Sequence, residues 1–185
     1  INEVVGATAI NTVTIRPALG ITSTITANIA NSLVRLDGAK YVVLDGRSAG
    51  LGSTSNLIIT NDNTAGSALT FINDASQNTL RYVTLKGSST NTVIGVVNFA
   101  TGIVTGNDNN LLAYCNIGDA ATLPTTLIQA RGSFDATSKF NTGNTILNCN
   151  LYNFWHASGE SNAMKISKGN ASWVIKANSF YQTAS

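Results

Sequence analysis

The chain has 185 residues, enough for one domain with a sizeable core, and 11 Lys and Arg against 9 Asp and Glu give a formal net charge of +2. Only 11% of residues are charged while 43% are hydrophobic, so Asn, Thr, Ser and Gly stand where charge usually stands. A scattered +2 makes no electrostatic footprint for nucleic acid, and there is no run of about 18 apolar residues to span a membrane.

Asn and Ser compete for backbone hydrogen bonds and Thr is stiff at Cβ, so this composition favours strands and turns over helices. Taken in chain order, short strands of two kinds alternate. "LVRL" (33–36) is followed by "AKYVVL" (39–44), "LTF" (69–71) by "LRYVTL" (80–85), and "VNF" (97–99) by "LAYCNI" (112–117). "IQA" (128–130) then precedes "ILNCNL" (146–151), and "MKI" (164–166) precedes "IKANSF" (175–180). The last residues of the second kind lie about 41, 32, 34 and 29 residues apart, a period that signals a solenoid.

Alternate residues of a strand face the same way, so Leu36, Phe71, Phe99, Ala130 and Ile166 are expected to form one inward column. Leu44, Leu85, Ile117, Leu151 and Phe180 are expected to form another. No copy buries its apolar face alone, whereas stacked copies make a continuous core. A sandwich also uses short strands and frequent turns, but it does not require like residues at like positions, so the matched columns favour a coil. Unequal spacing is expected to fall in loops on one side, such as "GRSAGLGSTS" and "RGSFDATSKFNTGN".

The same alignment sorts the polar and reactive residues. Cys115 and Cys149 fall two before their anchors, so they are expected as stacked, buried, unbridged thiols. Two cysteines are too few for a disulfide scaffold, and the lone His156 argues against a His-based zinc site or a Ser-His-Asp triad. Seven before the anchors stand Asp37, Asn78, Asn110 and Asn144, and the three asparagines are expected as a structural ladder serving backbone groups at a buried corner. Tyr41, Tyr82 and Tyr114 fall three before the anchors, an external aromatic column that shields the sheet or carries a sugar ring. The loop "NLYNFWHASGESNAM" (150–164) gathers Phe154, Trp155, His156 and Glu160, of which Trp155 and His156 are the second candidate glycan contact. "NDN" (61–63) and "GNDNN" (106–110) offer hard oxygen ligands for calcium but one carboxylate each, so no metal and no cofactor is assigned.

The pattern "VTIRPALG", "LVRLDGAKYVVLDGRSAG", "LTFINDASQNTLRYVTLKG", "GNDNNLLAYCNIGD" and "WVIKANSFYQT", from about Thr12 to Thr183, resembles a known family. It is similar to the right-handed parallel β-helix, pectate-lyase-like repeats of large surface proteins from type IX-secreting bacteria. The expectation is therefore all-β: one right-handed single-stranded parallel β-helix, a solenoid of about five rungs over residues 1–185, cut from a longer protein. The resemblance implies a secreted or cell-surface location and a non-catalytic structural or adhesive role, with a polysaccharide or host glycan as partner. Open rungs add neighbouring rungs of a parent chain, or end-to-end self-association, as further partners. The alternative is a carbohydrate-active β-helix, a polysaccharide lyase or glycoside hydrolase. Its candidate cations are Arg35, Lys86, Arg131, Lys165 and Lys168, with Asp45 and Asp74 as carboxylates. That alternative requires Arg35, Lys86, Arg131 and Lys165 to converge in one groove.

Overall fold

The computed structural model describes residues 1–183. The chain winds through three parallel sheets, visiting each once per turn, to make a parallel β-solenoid of about five turns. The first sheet stacks Val13–Ile15, Val42–Asp45, Thr79–Arg81, Leu111–Ala113, Thr145–Leu147 and Val174–Lys176. The second stacks Ser23–Ala27, Leu57–Asn61, Val83–Gly87, Asn116–Asp119, Asn150–Tyr152 and Ser179–Tyr181. The third stacks Val34–Asp37, Leu69–Ile72, Val97–Phe99, Thr126–Ala130 and Asn162–Ile166. The only helical pieces among the described residues are single 3-10 turns at Ser48–Gly50 and Thr137–Lys139.

The strands are short because the turns bend at corners made by a single residue in the left-handed conformation, two to a turn except where residues 46–56 loop out. Tyr41, Gln77, Asn109, Gly143 and Ser172, with φ of 58°, 58°, 54°, 70° and 55°, make the corner entering the first sheet. Tyr82, Tyr114, Asn148 and Ala177, at 54°, 55°, 52° and 55°, turn the chain from the first sheet into the second. A side chain in this region costs about 1–2 kcal/mol per residue, so the repeated corner is held by what it places on either side. Val, Ile, Leu and Phe then point inward at alternate positions and fill the space between the sheets.

The third-sheet column is the expected one, with Leu36 opposite Phe71, Phe71 opposite Phe99, Phe99 opposite Ala130 and Ala130 opposite Ile166. Phe71 and Phe99 stack with ring centroids 4.4 Å apart, and Trp173 meets Phe99 edge-on at 4.8 Å. The other expected column needs a correction at its first member. Leu44 lies in the first sheet opposite Ile15 and Leu80, and Ile59 occupies the place opposite Leu85. Lys40-Tyr41-Val42 and Arg81-Tyr82-Val83 read alike because each is a left-handed residue entering a strand, but they sit at different corners. From Leu85 onward, Ile117, Leu151 and Phe180 follow as expected.

The loops also depart from the expectation of one side. Residues 46–56 leave between the first and second sheets, residues 131–140 between the third and first, and residues 88–96 and 153–161 between the second and third. Between these loops the core is closed: Leu36, Leu80, Leu85, Ile117 and Ile146 are all fully buried. At the two terminal turns the same columns open, with Ile15 and Ile25 at one end and Ile175 and Phe180 at the other each more than 40% exposed.

Candidate functional site

The asparagine ladder forms. Asn144 Oδ1 accepts both the backbone N–H and the Nδ2–H of Asn110, at 2.9 and 3.1 Å, and Asn110 Oδ1 accepts the same pair from Asn78, at 3.1 and 2.9 Å. Asn78 Oδ1 then accepts the Val42 N–H at 3.0 Å, and there the ladder stops. Asp37 stands outside it in the third sheet, paired with Arg35 and accepting from Asn73 Nδ2. A second ladder runs three residues upstream, where Asn141 Oδ1 accepts the backbone and side-chain N–H of Asn107, and Asn107 Oδ1 accepts the Ala75 N–H. The signal for it was the repeated N-x-x-N of "NDNN" and "NTGN". All five asparagines are buried, and their bonds satisfy backbone groups that water does not reach.

The two thiols hold the corresponding place at the other corner. Cys115 and Cys149 are buried and unbridged. Cys149 Sγ receives the Cys115 N–H at 3.4 Å, and Asn178 Oδ1 receives the Cys149 N–H at 2.8 Å. Sulfur therefore serves as the backbone acceptor that an amide supplies one turn later. Val83 shares this column, whereas Val42 belongs to the asparagine column. Burial in apolar surroundings pushes the Cys115 thiol well above its ordinary pKa, as for an inert structural cysteine.

Tyr82 and Tyr114 stack with centroids 4.9 Å apart and planes 5° from parallel, and the Arg47 guanidinium covers the other side of Tyr82 at 5.1 Å. Both faces of Tyr82 are thus covered, and the exposed surface of the pair belongs to Tyr114, which is 46% exposed. Tyr41 does not join them. It lines a shallow cleft with Gln77, Thr79, Asn109 and Leu111 at the other corner, and Gly46 stands at the level of Tyr82, where a Cβ would meet the Tyr82 carbonyl oxygen. A second tyrosine pair that sequence reading missed, Tyr152 and Tyr181, stacks at 5.5 Å on the second sheet.

The loop after Tyr152 divides its aromatics. Phe154 packs against the core, while Trp155 is 55% exposed, held by its backbone N–H to the Pro124 carbonyl. Trp155 and His156 line a cleft of about 650 Å³ with Thr90, Thr122, Leu123 and Thr125. His156 Nδ1 accepts the Ser158 N–H at 3.2 Å, which leaves Nε2 as the ring's donor toward solvent. Thr125 is buried beside this cleft, and its hydroxyl has no partner in the structure. Glu160 is turned away into an exposed pair with Lys165.

The candidate cations do not share one groove. Arg35 and Lys165 lie in one outward column of the third sheet, separated by Thr70, Asn98 and Gln129, and Arg131 lies just beyond Gln129. Lys86 projects from the second sheet, opposite Thr60 and Gly118, and Lys168 is exposed beyond the third. The carboxylates are also engaged: Asp74 accepts the N–H groups of Ile103, Val104 and Thr105, and Asp45 is fully buried against Arg47 and Arg81. In the two segments weighed for calcium, Asn61 spends its amide on Ile29, Asn31 and Ser67, and Asp108 takes the Thr142 N–H. No protein-family model, no curated protein and no solved structure matches this chain.

Proposed function

We propose that the chain is a non-catalytic structural and adhesive segment of a secreted or cell-surface protein, a pectate-lyase-like β-helix repeat of the kind its sequence resembles. The observation that carries this reading is the direction of its buried bonds. The amide ladders, the thiol column and the apolar columns all run from turn to turn along one axis, which is the construction of a rod that transmits load and sets a distance. Its outward aromatics, Tyr114 beside Tyr82 and Trp155 beside His156, supply the surfaces on which a glycan ring packs.

The rod also has an axial partner. Ile15 and Ile25 at one end and Ile175 and Phe180 at the other are the last members of columns that are buried elsewhere, beside strands with one unpaired edge. A further rung, from a parent chain or from a second copy stacked head to tail, covers them. Sedimentation velocity across a concentration series tests this. Association that strengthens with concentration and is abolished by Ile175→Lys with Phe180→Lys is expected. A species that stays monomeric at every concentration, in wild type and variant alike, contradicts self-stacking.

A further inference from the structure

One cluster of charge takes no part in the ladders and touches the stacked tyrosines only through Arg47. Arg16, Asp45 and Arg81 follow one another at the same level of three successive turns, each just beyond a residue of the column Ile15, Leu44 and Leu80. Arg47 reaches Asp45 from the adjoining loop. Asp45 is fully buried. Its Oδ1 accepts the Arg47 backbone N–H at 3.2 Å and Nε–H at 2.9 Å, and its Oδ2 accepts Arg47 Nη2–H at 2.8 Å and Arg81 Nε–H at 3.0 Å, with Arg81 Nη2 in ion-pair range at 2.9 Å. Those contacts fill the four or so acceptor positions that a carboxylate offers.

Arg16 is therefore left over. Its guanidinium stands beside the same carboxylate: a Cβ on Gly50 would lie 2.8 Å from Arg16 Nη1 and 3.6 Å from Asp45 Oδ2. Yet Arg16 makes no ion pair or side-chain hydrogen bond among the described residues. Three guanidiniums around one carboxylate leave an excess of two positive charges, as large as the +2 of the entire chain. Arg47 and Arg81 cannot relax toward water without abandoning a buried anion, so the excess is fixed in place. Arg81 is 42% exposed on its side chain and keeps Nη1 free, as Arg16 keeps its whole fork.

We propose that Arg16 and Arg81 form a binding site for a tetrahedral oxyanion, a sulfate or phosphate group. Arg16 and Arg81 start two rungs apart, about 9.6 Å at the backbone, and approach from opposite sides of Asp45. A group with oxygens directed out of one plane meets both forks, while a planar carboxylate aligns with one fork at a time. This assignment rests on residues other than the aromatic glycan surfaces and holds for a free ion as for an ester on a polymer.

The test is a thermal melt of the full chain in sodium sulfate or phosphate, with sodium chloride and sodium acetate at matched ionic strength. A rise of roughly 2–4 °C is expected at about five times the dissociation constant, growing only with the logarithm of concentration beyond it, lost in Arg16→Ala and kept in Lys176→Ala, which removes the same charge far along the same column. General salting-out by sulfate grows in proportion to concentration and ignores the variant. Retardation by dextran sulfate but not dextran, with the same dependence on Arg16, assigns the group to a polymer ester; a response to the free ions alone assigns it to a free anion. A rise that is linear in concentration throughout, equal in Arg16→Ala, or matched by acetate overturns the site.

Discussion

Asn110 and Asn144 are joined across one turn by a single oxygen: Asn144 Oδ1 accepts both the backbone N–H and the Nδ2–H of Asn110. Asn110 repeats the arrangement for Asn78 and also gives Nδ2–H to the Ala75 carbonyl. Asn110→Ala therefore strands the backbone and side-chain donors of Asn78 and the Ala75 carbonyl in a region without water, while Asn144 Oδ1 keeps only the backbone N–H of residue 110. At about 1–3 kcal/mol per buried unpaired group, with some relaxation, the melting temperature is expected to fall by roughly 5–15 °C. A fall of no more than the ordinary surface-substitution effect in differential scanning calorimetry contradicts the ladder.

The thiol column predicts a ranking. Cys149→Ala removes the acceptor of the Cys115 N–H, while Cys149→Asn replaces it with the amide that Asn178 already provides one turn on. Chemical denaturation is expected to find the Asn variant more stable than the Ala variant by about 1 kcal/mol or more. In the wild type, alkylation of both cysteines only after unfolding is expected, and an intact mass at the fully reduced value.

Acid stability turns on Asp45. Burial alone raises its pKa, but the hydrogen bonds from the Arg47 side chain and backbone, with the charges of Arg81 and Arg47, outweigh it and leave the carboxyl below its ordinary value of 3.8. A depressed folded pKa means that the contribution is complete above the unfolded value and is lost as pH falls through the folded one. Urea titrations are expected to show steady stability from neutral pH to about 4 and a decline below it, with Asp45→Asn less stable at neutral pH and shallower in its acid decline. An identical acid profile in the variant argues against this role.

The stacked tyrosines predict a coupling. Replacing Tyr82 and Tyr114 singly and together is expected to yield an interaction energy of about 0.5–1.5 kcal/mol in a double-mutant cycle, whereas Tyr41 with Tyr82 yields none. Coupling between Tyr41 and Tyr82 equal to that of the stacked pair contradicts the register.

Most of the fold was legible because the repeat writes its inward residues in a fixed order, and the third-sheet column from Leu36 to Ile166 needed no correction. The error at Leu44 has a physical origin. Two corners per turn use the same left-handed device, so "KYVVL" and "RYVTL" match as text while lying in different sheets, and the long first spacing was the mark of the mismatch. That error carried Tyr41 into the wrong column and Asp37 into the asparagine series. The Arg16, Asp45, Arg81 alternation was hidden for a related reason: its members are 29 and 36 residues apart and align only once Leu44 is placed opposite Ile15 and Leu80.

The proposed glycan-retaining rod without turnover is tested by one paired assay. The protein is run through gels containing acidic or neutral polysaccharides with calcium present, and the same mixtures are followed for unsaturated uronate and new reducing ends. Retardation by at least one polymer, weakened in Tyr114→Ala and Trp155→Ala, unchanged in Tyr41→Ala, and unaccompanied by product is the predicted result. Release of unsaturated or reducing products that Lys86→Ala or Arg131→Ala abolishes would contradict it.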